Sequence, residues 1–396
     1  MDFLTKAKQR GAIERIVVEN DLKGLLRAGK ELNVYYGVDP TGRDLHLGHM
    51  VQMRILRKFQ MDGHKVTFLI GDYTARIGDP TGKSSSRRTL QQEEVQKNFS
   101  TYAKQTELFF ESRANPLNVR YNSEWYANMD FGALLDLCAN VTVGHMLERD
   151  MFKRRMKEGK PVFLHEFLYP LLQGYDSVKL STDLEIGGAD QLFNMLVGRE
   201  LVKKYQEREK HIITTVLLSG TNGRKMSKSE GNIISISNGA SKMFAQIMRM
   251  QDSLVPFYFN VLTDVEDEYV SEVAEKVKNG NTITGDRRRL AENIVSQLYD
   301  AEALIKAKED FDREVEGSAS GYIRTISINE CNASLLAVLK GTGLITSIND
   351  GRRLIREGAI EVNGVKERNS NAQLHPDTVE RGSIIRVGKR GILRLD

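Results

Sequence analysis

The chain has 396 residues, of which 40% are hydrophobic and 28% charged, with a net charge of +4. Domains run about 100–200 residues, so two or three are expected, with the ordinary composition of a globular enzyme. No apolar run approaches the ~18 residues of a membrane span, and the opening MDFLTKAKQRGAIERIV lacks a signal-peptide core, so a cytoplasmic location without membrane contact is expected. Two distant cysteines, Cys138 and Cys331, exclude a disulfide scaffold or a Cys-based zinc site, and the mild positive excess permits a nucleic-acid partner without requiring one.

The first clear element is a buried strand at 33–38 (NVYYGV), followed by the turn Asp39-Pro40-Thr41-Gly42. From Gly48, Met50, Met53, Leu56 and Phe59 recur at helical spacing up to Gly63, and residues 66–70 form a second strand. This βαβ pattern predicts an α/β fold with a Rossmann-like parallel sheet. A Gly/Ser-rich loop spans Gly78 to Arg88, and residues 91–150 read as helical. Between 161 and 205 the pattern gives a buried helix, a strand at 184–186, a Gly187-Gly188 turn and another helix; 212–218 reads as one more strand. Helical patterning resumes past Gly231 to about 310, and Glu309 to Gly321, acidic and then Gly/Ser-rich, reads as a linker. Short helices then fall at 334–339 and 349–356, strands at 359–362 and after Val365 flank an Asn363-Gly364 hairpin turn, and 381–394 holds Arg381, Arg386, Lys389, Arg390 and Arg394 with no acid. The expected domains are 1–232, catalytic with a helical insertion; 233–316, α-helical; 317–324, a linker; and 325–396, a small basic α+β module.

His46-Leu47-Gly48-His49 begins the first helix, where backbone N–H groups and the helix dipole favour anions. Gly48 allows close approach, and two imidazoles one turn apart can donate to a phosphoryl group as charge develops; the competing reading is a polar helix cap with incidental histidines. Lys225-Met226-Ser227-Lys228-Ser229, flanked by glycines, can close over a polyphosphate, although a lone K/S loop is ordinarily a solvated turn. Gly78 to Ser84 is not a P-loop, because three residues rather than four separate its glycines; Lys83 and Arg87 remain candidates for pyrophosphate contact. Tyr169, Gln173 and Asp176 sit at i, i+4 and i+7 and share one helix face.

Together, H-x-G-H after a first strand and K-M-S-K-S about 180 residues on resemble the paired signatures of class I aminoacyl-tRNA synthetases. Tyr35-Tyr36-Gly37-Val38-Asp39-Pro40-Thr41, Gly78-Asp79-Pro80, Tyr169-x-x-x-Gln173-x-x-Asp176 and Gly187-Gly188-Ala189-Asp190-Gln191 resemble the tyrosine-binding elements of bacterial tyrosyl-tRNA synthetases. The likeness covers nearly the whole chain, including a C-terminal module similar to an S4 RNA-binding domain. It implies that tyrosine is activated with ATP and loaded onto tRNA(Tyr), with Mg²⁺ bound with ATP, no protein-ligated metal, and a homodimer. It also implies that Tyr35 and Asp176 hold the substrate phenol and that Tyr169, Gln173 and Asp79 hold its ammonium group. The resemblance further implies that Gly37, Asp39, Thr41, Gly48, Gly188, Asp190, Gln191 and Ser227 contact the adenylate or the amino-acid end. Thr41, His46, His49, Lys83, Arg87, Lys225 and Lys228 are then expected to stabilise the transferring phosphoryl group. The signature is HLGH where the family motif is written HIGH, and Tyr36 replaces a smaller residue of several relatives, which bears on pocket shape. A tryptophanyl-tRNA synthetase and a catalytically silent RNA-binding paralogue remain alternatives; the Tyr35/Asp176 pair suits a phenol rather than an indole, and intact signatures argue against silence.

Overall fold

In the computed structural model the described residues are 3–81, 101–110, 115–224, 226, 231–319, 323–327, 333–363, 365–374, 383–388 and 390–395. Their contacts divide into two units, Met1–Leu304 and Ile305–Asp396. At the centre of the first is a six-stranded sheet made of β1 (Ile13–Val17), β2 (Asn33–Val38), β3 (Lys65–Ile70), β4 (Asn118–Tyr121), β5 (Leu184–Gly188) and β6 (His211–Thr215), in the order β1-β6-β5-β2-β3-β4. Neighbouring strands from β6 to β4 are parallel, and β1 pairs antiparallel with β6 at the edge. The chain lays β3 and β4 outward on one side of β2 and then returns to place β5 and β6 on the other. Such a reversal opens a crevice beyond the carboxyl ends of β2 and β5.

Both faces of this sheet are covered, and β5 and β6 are buried at every residue. Helix α1 (Leu47–Met61) joins β2 to β3 and buries Met50, Met53, Leu56 and Phe59, the stripe read from the sequence. Helices α2 (His165–Lys179) and α3 (Leu192–Gln206) flank β5 in sequence and approach each other through glycines: a Cβ on Gly174 would meet the Gly198 nitrogen at 2.9 Å.

Some local readings are corrected. The Gly187-Gly188 pair extends β5 rather than turning, because its backbone continues the parallel ladder to Thr214 and Thr215. The last strand of the sheet stops at Thr215, short of Leu218. Residues 118–121, inside the stretch read as helical, pair with β3 as an edge strand too short to show a period. Past Gly231 the unit is helical: α4 (Ala240–Met248), α5 (Val255–Leu262), α6 (Asp267–Lys278), α7 (Thr284–Val295) and the start of α8 (Ala301–Ala319). Much of the stretch read as linker from its composition belongs to α8, where Glu309 and Arg313 form an i,i+4 pair that supports helix.

The second unit holds a five-stranded sheet of β10 (Val365–Lys366), β9 (Ile360–Val362), β12 (Ile384–Val387), β13 (Gly391–Leu395) and β7 (Ile323–Ile326), with a two-stranded pair of β8 (Ala333–Ser334) and β11 (Gln373–Leu374). Helices α9 (Leu335–Gly341) and α10 (Ile348–Arg356) bury Leu336, Leu339, Leu354 and Ile355 against Ile360, Ile385 and Leu393. Val362 faces Val365 across the hairpin, and Asn363 takes a positive φ of 50°, as such a turn requires. No described helix is long and apolar enough to cross a membrane.

Candidate active site

The crevice at the β2/β5 reversal is a cleft of about 640 Å³. It is lined by all the sequence-predicted site residues that are described: Tyr35, Gly37, Asp39, Thr41, His46, Gly48, His49, Asp79, Tyr169, Gln173, Asp176, Gly188, Asp190 and Gln191. Met226 of the K-M-S-K-S segment also lines it, whereas Lys83, Arg87, Lys225, Ser227 and Lys228 lie outside the described residues.

One end of the cleft is built from the start of α1. The His46 backbone N–H donates to His49 Nδ1 at 3.1 Å, and the Gly48 N–H donates to His46 Nδ1 at 3.1 Å. Each imidazole therefore accepts on Nδ1, which puts its proton on Nε2. The cap reading and the donor reading are thus compatible, since capping sets the tautomer that can donate. The rings lie 3.9 Å apart, and a Cβ on Gly48 would strike His46 at 2.8 Å.

The middle is a set of cross-braced polar side chains. Asp39 accepts from Tyr169 Oη at 2.9 Å and from Thr74 Oγ1 at 2.7 Å. Asp79 accepts from the Thr81 backbone N–H at 3.0 Å and from Gln191 Nε2 at 2.7 Å. Buried Asn194 donates to Gln173 Oε1 at 2.9 Å and to Gln191 Oε1 at 3.0 Å.

At the far end Asp176 is 3% exposed and accepts from Tyr126 Oη at 2.8 Å, Trp125 Nε1 at 3.0 Å and Asn122 Nδ2 at 3.3 Å. Burial pushes its carboxyl up to about 8, against the three hydrogen bonds that pull it down. Tyr35, 2% exposed, lies 3.0 Å from Ser177 Oγ, and burial followed by the nearby charges of Glu185 and Asp176 raises its phenol well above the usual range. The sequence reading missed Asn122, Trp125, Tyr126, Ser177, Glu185, Asn194 and Lys210. Two of these carried a signal: Glu185 interrupts an otherwise apolar strand, and Lys210 immediately precedes the buried strand beside it.

Basic clusters also occur at Lys153-Arg154-Arg155-Met156-Lys157 and Arg287-Arg288-Arg289, and they are not uniform phosphate-binding faces. Arg155 is fully buried and paired with Glu166 at 2.6 Å; Arg287 donates to the Met248 carbonyl at 2.6 Å. In the second unit Arg390 pairs with Asp350, while Arg386 and Arg394 are exposed; Arg381 and Lys389 lie outside the described residues.

A nucleotide-sized cleft at the switch point of a parallel sheet, with H-x-G-H at a helix start, is the arrangement of a class I synthetase. Residues 27–316 match the family model for tRNA synthetases class I (W and Y). A tyrosine–tRNA ligase of Carboxydothermus hydrogenoformans is 40% identical over 399 residues, covering 98% of this chain and 96% of that protein. The fold matches a C-terminally truncated mitochondrial tyrosyl-tRNA synthetase of Coccidioides posadasii with a TM-score of 0.64 at 26% identity, over 78% of this chain and 91% of that one. It also matches the tryptophanyl-tRNA synthetase of Plasmodium falciparum with a TM-score of 0.56 at 15% identity, over 78% and 84%, so the fold by itself does not choose the amino acid. Within the class I synthetases, the chain belongs to the tyrosine–tRNA ligase family.

Proposed function

We propose that this cleft activates tyrosine with ATP and passes the tyrosyl group to the 3′ end of tRNA(Tyr), with the residue roles that follow. The observation that carries this reading is the buried phenol end, where Asp176 and Tyr35 converge on one cleft with Tyr169, Gln173 and Asp79. The ionised Asp176 carboxylate accepts the substrate O–H, and Tyr35 donates to the phenol oxygen. Tyr169, Gln173 and Asp79 hold the ammonium group, which leaves the substrate carboxylate to attack the α-phosphate of ATP. Gly37, Gly48 and Gly188 let the adenylate lie against backbone, with Asp39, Asp190, Gln191 and Ser227 around it. His46 and His49 donate from Nε2 to the phosphoryl group as it gains charge, joined by Thr41, Lys83, Arg87, Lys225 and Lys228; no covalent enzyme intermediate is needed. Magnesium enters bound to the nucleotide phosphates. Among the described residues no group of three or more His, Cys, Asp or Glu side chains could hold a metal ion, and no step is assigned to it. Tyrosine-dependent ATP–pyrophosphate exchange, compared with phenylalanine and tryptophan, tests the reading; exchange supported equally by tryptophan overturns it.

The 233–316 region serves the anticodon side of the tRNA, and the module at 325–396 binds its structured arm through exposed cations such as Arg386 and Arg394. A chain ending near Ser320 should keep pyrophosphate exchange but lose most tRNA charging, more so at moderate than at low salt, because phosphate contacts act by counterion release. Full charging by that truncation would remove the module from tRNA binding. The enzyme works in the cytoplasm as a C2 homodimer that covers the apolar side chains exposed on the insertion, Phe131, Val143 and Leu164 at 73%, 69% and 80%.

A further inference from the structure

At the phenol end lies an ion pair to which the proposed reaction assigns no role, although its Glu185 also lines the cleft. Lys210 and Glu185 are 0% and 3% exposed and bonded to each other. Lys210 Nζ also donates to Ser177 Oγ at 2.8 Å and to the Met195 carbonyl at 3.1 Å, so its three N–H groups each have an acceptor. Gly198 makes the room, since a Cβ there would lie 2.6 Å from that nitrogen. Two cleft residues rest on the pair. Ser177 Oγ stands 3.0 Å from Tyr35 Oη, and Gln173 Nε2 donates to Glu185 Oε1 at 3.3 Å. Tyr35 and Glu185 are also register partners on adjacent parallel strands.

The direction of this chain follows from proton counting. An ammonium group only donates, so Ser177 Oγ must accept from Lys210, and its own proton goes elsewhere. Its two candidate acceptors are Tyr35 Oη at 3.0 Å and Glu185 Oε2 at 3.4 Å, and that Glu185 oxygen already receives the Lys210 proton. The shorter contact to the less satisfied oxygen favours donation from Ser177 to Tyr35. Because Glu185, the carboxylate that also neighbours Tyr35, is already engaged by Lys210 and Gln173, the Tyr35 proton is left for the cleft. We infer that Lys210, held by Glu185, is a positioning residue for substrate selection: it sets a one-way hydrogen-bond chain, Lys210 to Ser177 to Tyr35, that presents Tyr35 as a donor to the substrate hydroxyl. The inference rests on the reading of Tyr35 as a phenol contact.

Removing one partner would strand a buried charge, so the test is the double variant Lys210→Met/Glu185→Gln. It should fold, keep the KM for ATP, raise the KM for tyrosine about 10-fold and narrow the tyrosine-over-phenylalanine ratio in kcat/KM about 10-fold, the scale of one hydrogen bond. In a Tyr35→Phe background the same pair of substitutions should leave that ratio where Tyr35→Phe alone puts it, because the pair acts on selection through Tyr35. A parent-like ratio in the folded double variant overturns the inference, as does an equal further loss in the Tyr35→Phe background. Should the double variant not fold, Ser177→Ala interrupts the chain with the ion pair in place, and a parent-like ratio there is equally decisive against it. If Tyr35→Phe itself leaves the ratio unchanged, it is the phenol-site reading that falls.

Discussion

On the proposed assignment, the two ends of the cleft solve recognition by different means. At the phenol end every group is a buried side chain paired before substrate arrives: Asp176 by Asn122, Trp125 and Tyr126, and Tyr35 by Ser177. At the nucleotide end the described framework is glycine backbone, a helix start and two imidazoles whose tautomers are set by backbone N–H groups. The first arrangement penalises a wrong ligand, since a missing hydroxyl leaves buried polar groups unpaired; enzymes of this family are the standing example of that rule. The second arrangement suits a ligand whose charge changes during the reaction.

If that division holds, substitutions at the two ends should separate kinetically. His49→Ala should lower the rate of adenylate formation by about 10–10³-fold with tyrosine affinity nearly intact, measured by stopped-flow single turnovers. A collapse of tyrosine affinity at an unchanged rate would erase the distinction. Asp176→Asn, which keeps the shape but removes the acceptor charge, should cost about 10²-fold in kcat/KM for tyrosine while the KM for ATP holds. Tyr35→Phe is expected to be milder, narrowing the tyrosine-over-phenylalanine ratio about 10-fold, since one neutral hydrogen bond is lost.

The same carboxyl also bears on stability. The folded-state value of Asp176 is raised from 3.8 to about 8, so between those values the folded chain holds a proton that the unfolded chain has released. Stability from this group is full below about pH 4, falls as pH rises, and is gone once pH passes through about 8. Chemical denaturation of Asp176→Asn across pH 5–9 should show that decline flattened; an unchanged slope would mean that Asp176 titrates near its ordinary value. The same group predicts that kcat/KM for tyrosine rises through about pH 8, because the ionised carboxylate accepts the phenol proton.

Much of this molecule was legible from local pattern. The strand at 33–38, the helix with Met50, Met53, Leu56 and Phe59 on its buried face, and the Asn363-Gly364 hairpin follow from periodicity and turn chemistry that neighbours in sequence carry by themselves. The i, i+4, i+7 spacing likewise puts Tyr169, Gln173 and Asp176 on one face before any packing is known. Tertiary structure decided what spacing cannot encode. Edge strands β1 and β4 are too short to show a period and exist because a sheet is there to pair with. Arg155 and Arg287 sit within clusters of basic residues, yet partners elsewhere in the chain draw them inward. The braces under the phenol end come from residues far apart in the chain: Trp125 and Tyr126 reach Asp176 across about 50 positions, and Lys210 reaches Ser177 across 33. A hydrogen bond between distant residues leaves no periodic trace in sequence, because its geometry exists only after the sheet and helices have brought the two groups within 3 Å.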